Sequence, residues 1–337
     1  MTGSPALTQQ TRFATWYGHR GLAIGLLPIV AIALFVLLSI VEPKFLRAGN
    51  LINVLRNASF LMLVATGQML VLIIGGFDLA VGAVVAFASV AAALSMAALL
   101  IVMPDSPLLV IALGGAAGIV AGAAVGLMNG LVTALMKVNP FMVTLGTLSI
   151  ASGLALYLTQ GVPIYGMPEL FTRDFAKWHF LNLPAIIYFT AFVLIVMWWL
   201  MNWTRYGRYV YAIGSNPHAA RVSGVPVNLI VISTYTACGA FAALAGVLLT
   251  ARVGSGEATL GGNMMMESIA AAVIGGVSLR GGVGRVEMVA LGSLFLALVN
   301  NGLNLMRIDS KLQAIVVGVV LILAVGIDRL QSRRARR

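Results

Sequence analysis

The sequence predicts an all-α integral membrane protein of about ten transmembrane helices with one re-entrant or broken segment, and three observations carry that reading. Of its 337 residues 60% are hydrophobic and only 9% are charged, against about 25% charged in a soluble domain, so water cannot solvate its surface. Apolar runs near the ~20 residues needed to cross a ~30 Å hydrocarbon core recur along the chain. No polar stretch between them is long enough to fold as a soluble domain. Disorder, a disulfide scaffold and a cytosolic enzyme are thereby excluded, since the single cysteine, Cys238, lies inside an apolar run. The net charge of +11 does not point to nucleic acid, because the basic residues sit in breaks between apolar runs and at the C-terminus.

The runs cover approximately 22 to 41, 58 to 75, 82 to 102, 108 to 136, 141 to 158, 184 to 203, 229 to 251, 267 to 279, 286 to 305 and 313 to 328. Arg12 and Arg20 precede the first as they would a signal peptide, but the run is too long for one and meets Val41, Glu42 and Pro43 without a cleavage site, so it reads as a retained span. The eighth is short and bounded by glycine. Irregular backbone there is tolerable only under a cover of protein or water.

Ten spans put both termini on one side, and basic residues choose that side. With the termini inside, the inner segments carry thirteen basic and three acidic residues, a balance of +10; the outer ones carry eight and seven, a balance of +1, and the two restore +11. Residues 1–21 and the basic tail 329–337 are therefore expected in the cytoplasm, flanking a membrane domain of 22–328 with an inner loop at 204–228. A bacterial inner membrane is the expected location.

Gly114, Gly118, Gly122, Gly126 and Gly130 recur at every fourth position of the fourth run and form one ridge, which admits a second helix to backbone contact. The partner helix is either in this chain or in another subunit. Ile74, Gly75, Gly76, Leu79 and Gly82 are echoed 200 residues later by Ile274, Gly275, Gly276, Leu279 and Gly282. Internal repeats of this kind mildly favour a transporter over a membrane enzyme.

Candidate path residues follow from the cost of polarity in hydrocarbon. Asp78 lies in a break between two apolar runs, where a carboxylate either faces the path or caps the next helix. Asn300, Asn301 and Asn304 offer neutral donors and acceptors suited to a polyol, or interhelical glue. Thr144 and Thr147 either line a path or bond their own backbone carbonyls. Glu267 and Glu287 open their helices, where the helix dipole favours an acid. No cluster has metal-ligand spacing and no cofactor is implied. The chain also lacks a phosphate-cradling GxxxxGK[ST] loop, so ATP chemistry has to come from another chain.

The inner loop is the most informative stretch. Asn216 suits an N-cap, Pro217 a first helical position, and Gly224 with Pro226 a stop, so Pro217 to Ser223 is expected to form a short helix. By composition alone it is either an ordinary surface helix or one shaped for a partner's groove.

Four blocks bring a family into view: GGFDLAVG at 75 to 82, NGLVTALMKVNPFMVTLGTLSIASGLAL at 129 to 156, GRYVYAIGSNPHAARVSG at 207 to 224, and IAAAVIGGVSLRGGVG followed by NNGLNL. In that order, over about residues 22 to 330, the chain resembles the permease subunits of ATP-binding-cassette sugar importers, the group that includes the ribose, xylose and arabinose permeases. The resemblance implies a second permease subunit, a cytoplasmic ATPase, a periplasmic sugar-binding protein, and alternating access for a monosaccharide. It maps the ATPase contact onto the loop holding Gly214, Ser215, Asn216, Pro217, Ala219, Ala220, Arg221 and Gly224. The chain departs from the family's usual pattern at Met264, Met265 and Met266, at Val283 and Arg285, and at Ser152, where an arginine is frequent; these departures bear on which sugar is carried. The alternatives are an importer permease for branched-chain amino acids or nucleosides, and an ion-coupled carrier relying on Asp78.

Overall fold

The computed structural model describes residues 27–175, 179–181, 183–309 and isolated helical positions between 312 and 322. Its helices are α1 (Leu27–Val41), α2 (Ala48–Ile73), α3 (Val81–Val102), α4 (Pro107–Leu135), α5 (Pro140–Thr159), α6 (Ala185–Trp203), α7 (Arg205–Ser215), α8 (Pro217–Val222), α9 (Val227–Val253), α10 (Met264–Ile274) and α11 (Val286–Leu305). A π-helical turn, Leu170–Phe175, and a two-residue hairpin of β1 (His179–Phe180) with β2 (Leu183–Pro184) bridge α5 to α6. The molecule is a multi-pass, all-α membrane protein.

Among the described residues, seven helices are long and apolar enough to cross a membrane: α2 to α6, α9 and α11. This is fewer than the ten runs of the sequence. The first run is described only from Leu27, the eighth has shrunk to the short α10, and the tenth, 313 to 328, lies largely outside the described residues, as do 1–21 and 329–337. The second span starts ten residues earlier than its apolar run, because Asn50, Asn53, Arg56 and Asn57 break the hydropathy without breaking the helix.

α2 and α9 form the centre. α2 is flanked by α9, α10, α11 and α6, and α9 by α4, α2 and α3. α1, α4, α5 and α6 expose Leu, Ile, Val and Phe outward, as a lipid-facing rim does.

Two helix ends explain the sequence echo. At the end of α2, Gly75 (φ 80°) donates to Leu72 O and Gly76 to Val71 O, each at 2.9 Å. At the end of α10, Gly276 (φ 79°) donates to Val273 O at 2.9 Å and Val277 to Ala272 O at 3.0 Å. Both are Schellman caps, which need a left-handed residue just past the helix and so favour glycine. The left-handed glycine is second in the first Ile-Gly-Gly copy and third in the other.

The glycine ridge of α4 faces its own chain. A methyl group added at Gly118 would stand 2.8 Å from both Ala88 O and Val247, one at Gly122 would stand 2.8 Å from Gly239 O, and one at Gly130 2.7 Å from the Ile232 backbone. Gly126 abuts the Tyr235 carbonyl and Gly114 the Met96 side chain. The five glycines thus let α4 approach α3 and α9 at backbone distance.

Candidate functional site: a capped helix and the groove beyond it

α6 ends at Thr204, whose Oγ1 accepts the Gly207 N–H at 3.4 Å and starts α7. α7 is amphipathic, with Gly207, Val210 and Ile213 buried and Arg205 and Arg208 exposed. Its regular structure escapes a search for apolar runs because only one face is apolar. α8 follows at once. Asn216 Oδ1 accepts the N–H groups of His218 and Ala219, both at 3.0 Å, Pro217 takes the first position, and Gly224 (φ 80°) donates to Arg221 O at 3.0 Å in a third Schellman cap. With both ends satisfied, six residues hold a helix that would be too short alone.

The family-mapped residues divide by direction. Ser215, Asn216, Pro217, Ala219, Arg221 and Gly224 are exposed, as are their neighbours His218 and Val222, while Ala220 is 5% exposed and packs into the bundle. Gly214 is also turned inward, against Ile73 O and the Gly282 N–H. Val222 is 78% exposed, a bare aliphatic side chain at the tip of the helix that the sequence reading passed over.

The path candidates do not converge. Asp78 is 1% exposed and accepts the Ala80 N–H at 2.9 Å. It shapes the turn leading into α3 and does not cap that helix, whose N-cap is Ala80. Tyr235, Cys238 and Asn129 surround it. Thr144 Oγ1 bonds Pro140 O at 2.9 Å and reaches Phe77 O at 3.4 Å, where Tyr235 Oη–H also donates at 3.3 Å. Thr147 bonds Thr144 O at 3.1 Å. Two helices, α5 and α9, are thus fastened to the Phe77–Asp78 break, with Asn129 of α4 beside it.

The three asparagines part company. Asn300 donates to Glu267 at 3.1 Å, Asn301 and Asn50 exchange amide bonds at 2.8 and 3.0 Å, and Asn304 accepts from Gln313 at 3.0 Å.

A groove of about 180 Å³ opens where α3, α5 and the segment before α10 meet. Leu79, Gly82, Leu148, Ser152, Thr259 and Met265 are among its walls. It is smaller than the ~300–1,000 Å³ pockets that enclose a drug-sized ligand. Its wall of irregular backbone at residues 254–263 leads into the half-length α10. Transporters place their solute sites beside discontinuous helices of this kind.

Residues 50–325 match the family described as "Branched-chain amino acid transport system / permease component". The chain belongs to this family. Among its relatives is the ribose import permease protein RbsC of Bacillus subtilis, 37% identical over 300 residues covering 89% of this chain and 90% of the relative. The galactose/methyl galactoside import permease protein MglC of Salmonella typhimurium is 35% identical over 333 residues, covering 96% and 98%. The D-allose transport system permease protein AlsC of Escherichia coli is 33% identical over 305 residues, covering 90% and 91%. No solved structure matches this chain. The permease family thus extends over both α8 and the groove.

Proposed function

We propose that this permease carries a monosaccharide across the bacterial inner membrane, driven by a cytoplasmic ATPase that grips α8. The observation that carries the reading is the near full-length similarity to permeases named for ribose, galactose and allose. The amino-acid alternative rests on the family's description alone. A soluble sugar-binding protein delivers the solute at the face opposite α8, and a second permease subunit completes the path. α1, the half-span α10 and the run 313 to 328, added to the seven long helices, make up ten crossings, with both termini on the α8 side.

The exposed face of α8 supports the ATPase contact: Val222 supplies an apolar anchor and Arg221 a charge, on a helix capped at both ends. Movement of the ATPase on ATP binding carries α8 and α7 with it. A partner shifts such an equilibrium only through different affinities for the two states. The permease therefore needs little affinity for sugar, which the mostly apolar groove, with the hydroxyls of Ser152 and Thr259, supplies.

Val222→Asp places a charge at the anchor without touching the core. It is expected to cut uptake by more than tenfold and release the ATPase in a pull-down, while the permease stays in the membrane. Normal uptake with the ATPase still bound would overturn the docking assignment.

A further inference from the structure

We infer that Tyr211 and Gly214 form a joint that transmits motion of α8 to two of the three walls of the groove, which makes Tyr211 a positioning residue for transport. The inference rests on the ATPase docking at α8 proposed above.

The joint is built from three elements. The last carbonyl of α2, Ile73 O, has no acceptor role within its own helix and takes the Gly282 N–H at 2.8 Å. Tyr211 Oη–H, on α7, donates to Gly284 O at 2.8 Å in the same α10–α11 loop. Gly214, one turn on, lies bare between Ile73 O and Gly282 N, where no side chain would fit. Gly281 and Gly282, with φ of 86° and 76°, bring the loop in so close that an added Cβ would sit 2.9 Å from Gly214 O and from Ser215 Oγ respectively. The end of α7 is therefore locked to the end of α2 and to the loop after α10.

From this joint two short connections reach the groove. After Ile73 the chain passes the break to Leu79, Gly82 and Ala83, which form the α3 wall. Backward from the loop, α10 runs to Met265, Gly262 and Leu260 on a second wall. Gly82 closes the frame, since a Cβ there would stand 2.7 Å from Gly261 O. The third wall, Leu148 and Ser152, belongs to α5, which packs on α3 and α4. A displacement of α7 is thus passed to the α3 and α10 walls together, and the groove changes shape against Leu148 and Ser152, which lie one and two turns beyond the Thr144 tether of α5.

The test uses the permease reconstituted in liposomes with its ATPase and binding protein. Ser152→Cys on the α5 wall and Thr259→Cys on the wall ahead of α10 both line the groove, Cys238 is buried, and a bifunctional thiol reagent reports the separation by its cross-linking rate. With Tyr211 present, adding ATP is expected to change that rate at least about fivefold, the low end of ordinary allosteric coupling. Tyr211→Phe keeps the ring and removes the hydroxyl that bonds Gly284 O; the ATPase should remain bound in a pull-down while the ATP response shrinks severalfold and less sugar crosses per ATP hydrolysed. A full ATP response in Tyr211→Phe, or loss of ATPase binding by it, would overturn the joint. Val222→Asp separates the two readings: if it leaves the ATPase bound, docking at α8 fails; if it releases the ATPase while Tyr211→Phe responds normally, only the joint fails.

Discussion

Asn50 and Asn301 illustrate how single polar residues are used in this bundle. Each amide N–H donates a hydrogen bond to the other's carbonyl, which ties α2 to α11 and leaves neither bonding end empty in a low-dielectric setting. The pair is expected to contribute about 1–2 kcal/mol. Asn301→Leu should lower the unfolding midpoint in detergent by leaving Asn50 Oδ1 without its donor, and Asn50→Leu should do the same to Asn301. The double variant is expected to be no worse than either single one, because two apolar groups replace a matched polar pair; a strictly additive double loss would show that the two amides act independently. The sequence offered Asn301 as a path residue or as glue, and could not choose between them because its partner lies 251 positions away.

Among elements, the clearest translation from sequence to structure is the stripe of glycines on α4. Spacing announced a ridge; only the packing shows that the ridge receives the backbones of α3 and α9. Gly126→Leu would drive a side chain into the Tyr235 carbonyl, and because interiors are close-packed, overpacking at a backbone contact costs about 1–3 kcal/mol or more. Reduced yield of folded permease in the membrane is the expected result, measured by size-exclusion chromatography in detergent; an unchanged profile would mean that α4 can shift away from α9 freely. α8 was equally legible, since Asn216, Pro217 and Gly224 are local signals read within a few residues. α7 was not, because its apolar face is narrow, and neither was the outer half of α2, where Asn50 and Asn57 are polar yet partnered by Asn301 and Arg252. Hydropathy sees composition, and these helices are stabilised by contacts.

For the whole molecule, the charge asymmetry of the loops favours the orientation proposed above, with α8 on the cytoplasmic side. Ser223→Cys, at the exposed end of α8, is expected to react with a membrane-impermeant maleimide only in inverted vesicles, and Asp105→Cys, in the exposed loop after α3, only in intact cells. The opposite pattern would turn the molecule over and place α8 out of reach of ATP. Seven of the ten runs, the short eighth one and the family were legible from the sequence. The groove was not: its walls come from residues 79–86, 148–152 and 258–265, which only the fold assembles.

One small pairing ties this interior to the far surface. Ile164, in the loop after α5, and Gly256, on the way into α10, exchange two backbone hydrogen bonds of 2.9 Å. At eleven residues α10 reaches only about 16 Å, so the chain ahead of it descends well below the surface before any helix begins. The strap at Ile164 and the lead-in to α10 are consequently stitched into one piece, so that a load on the one is carried by the other.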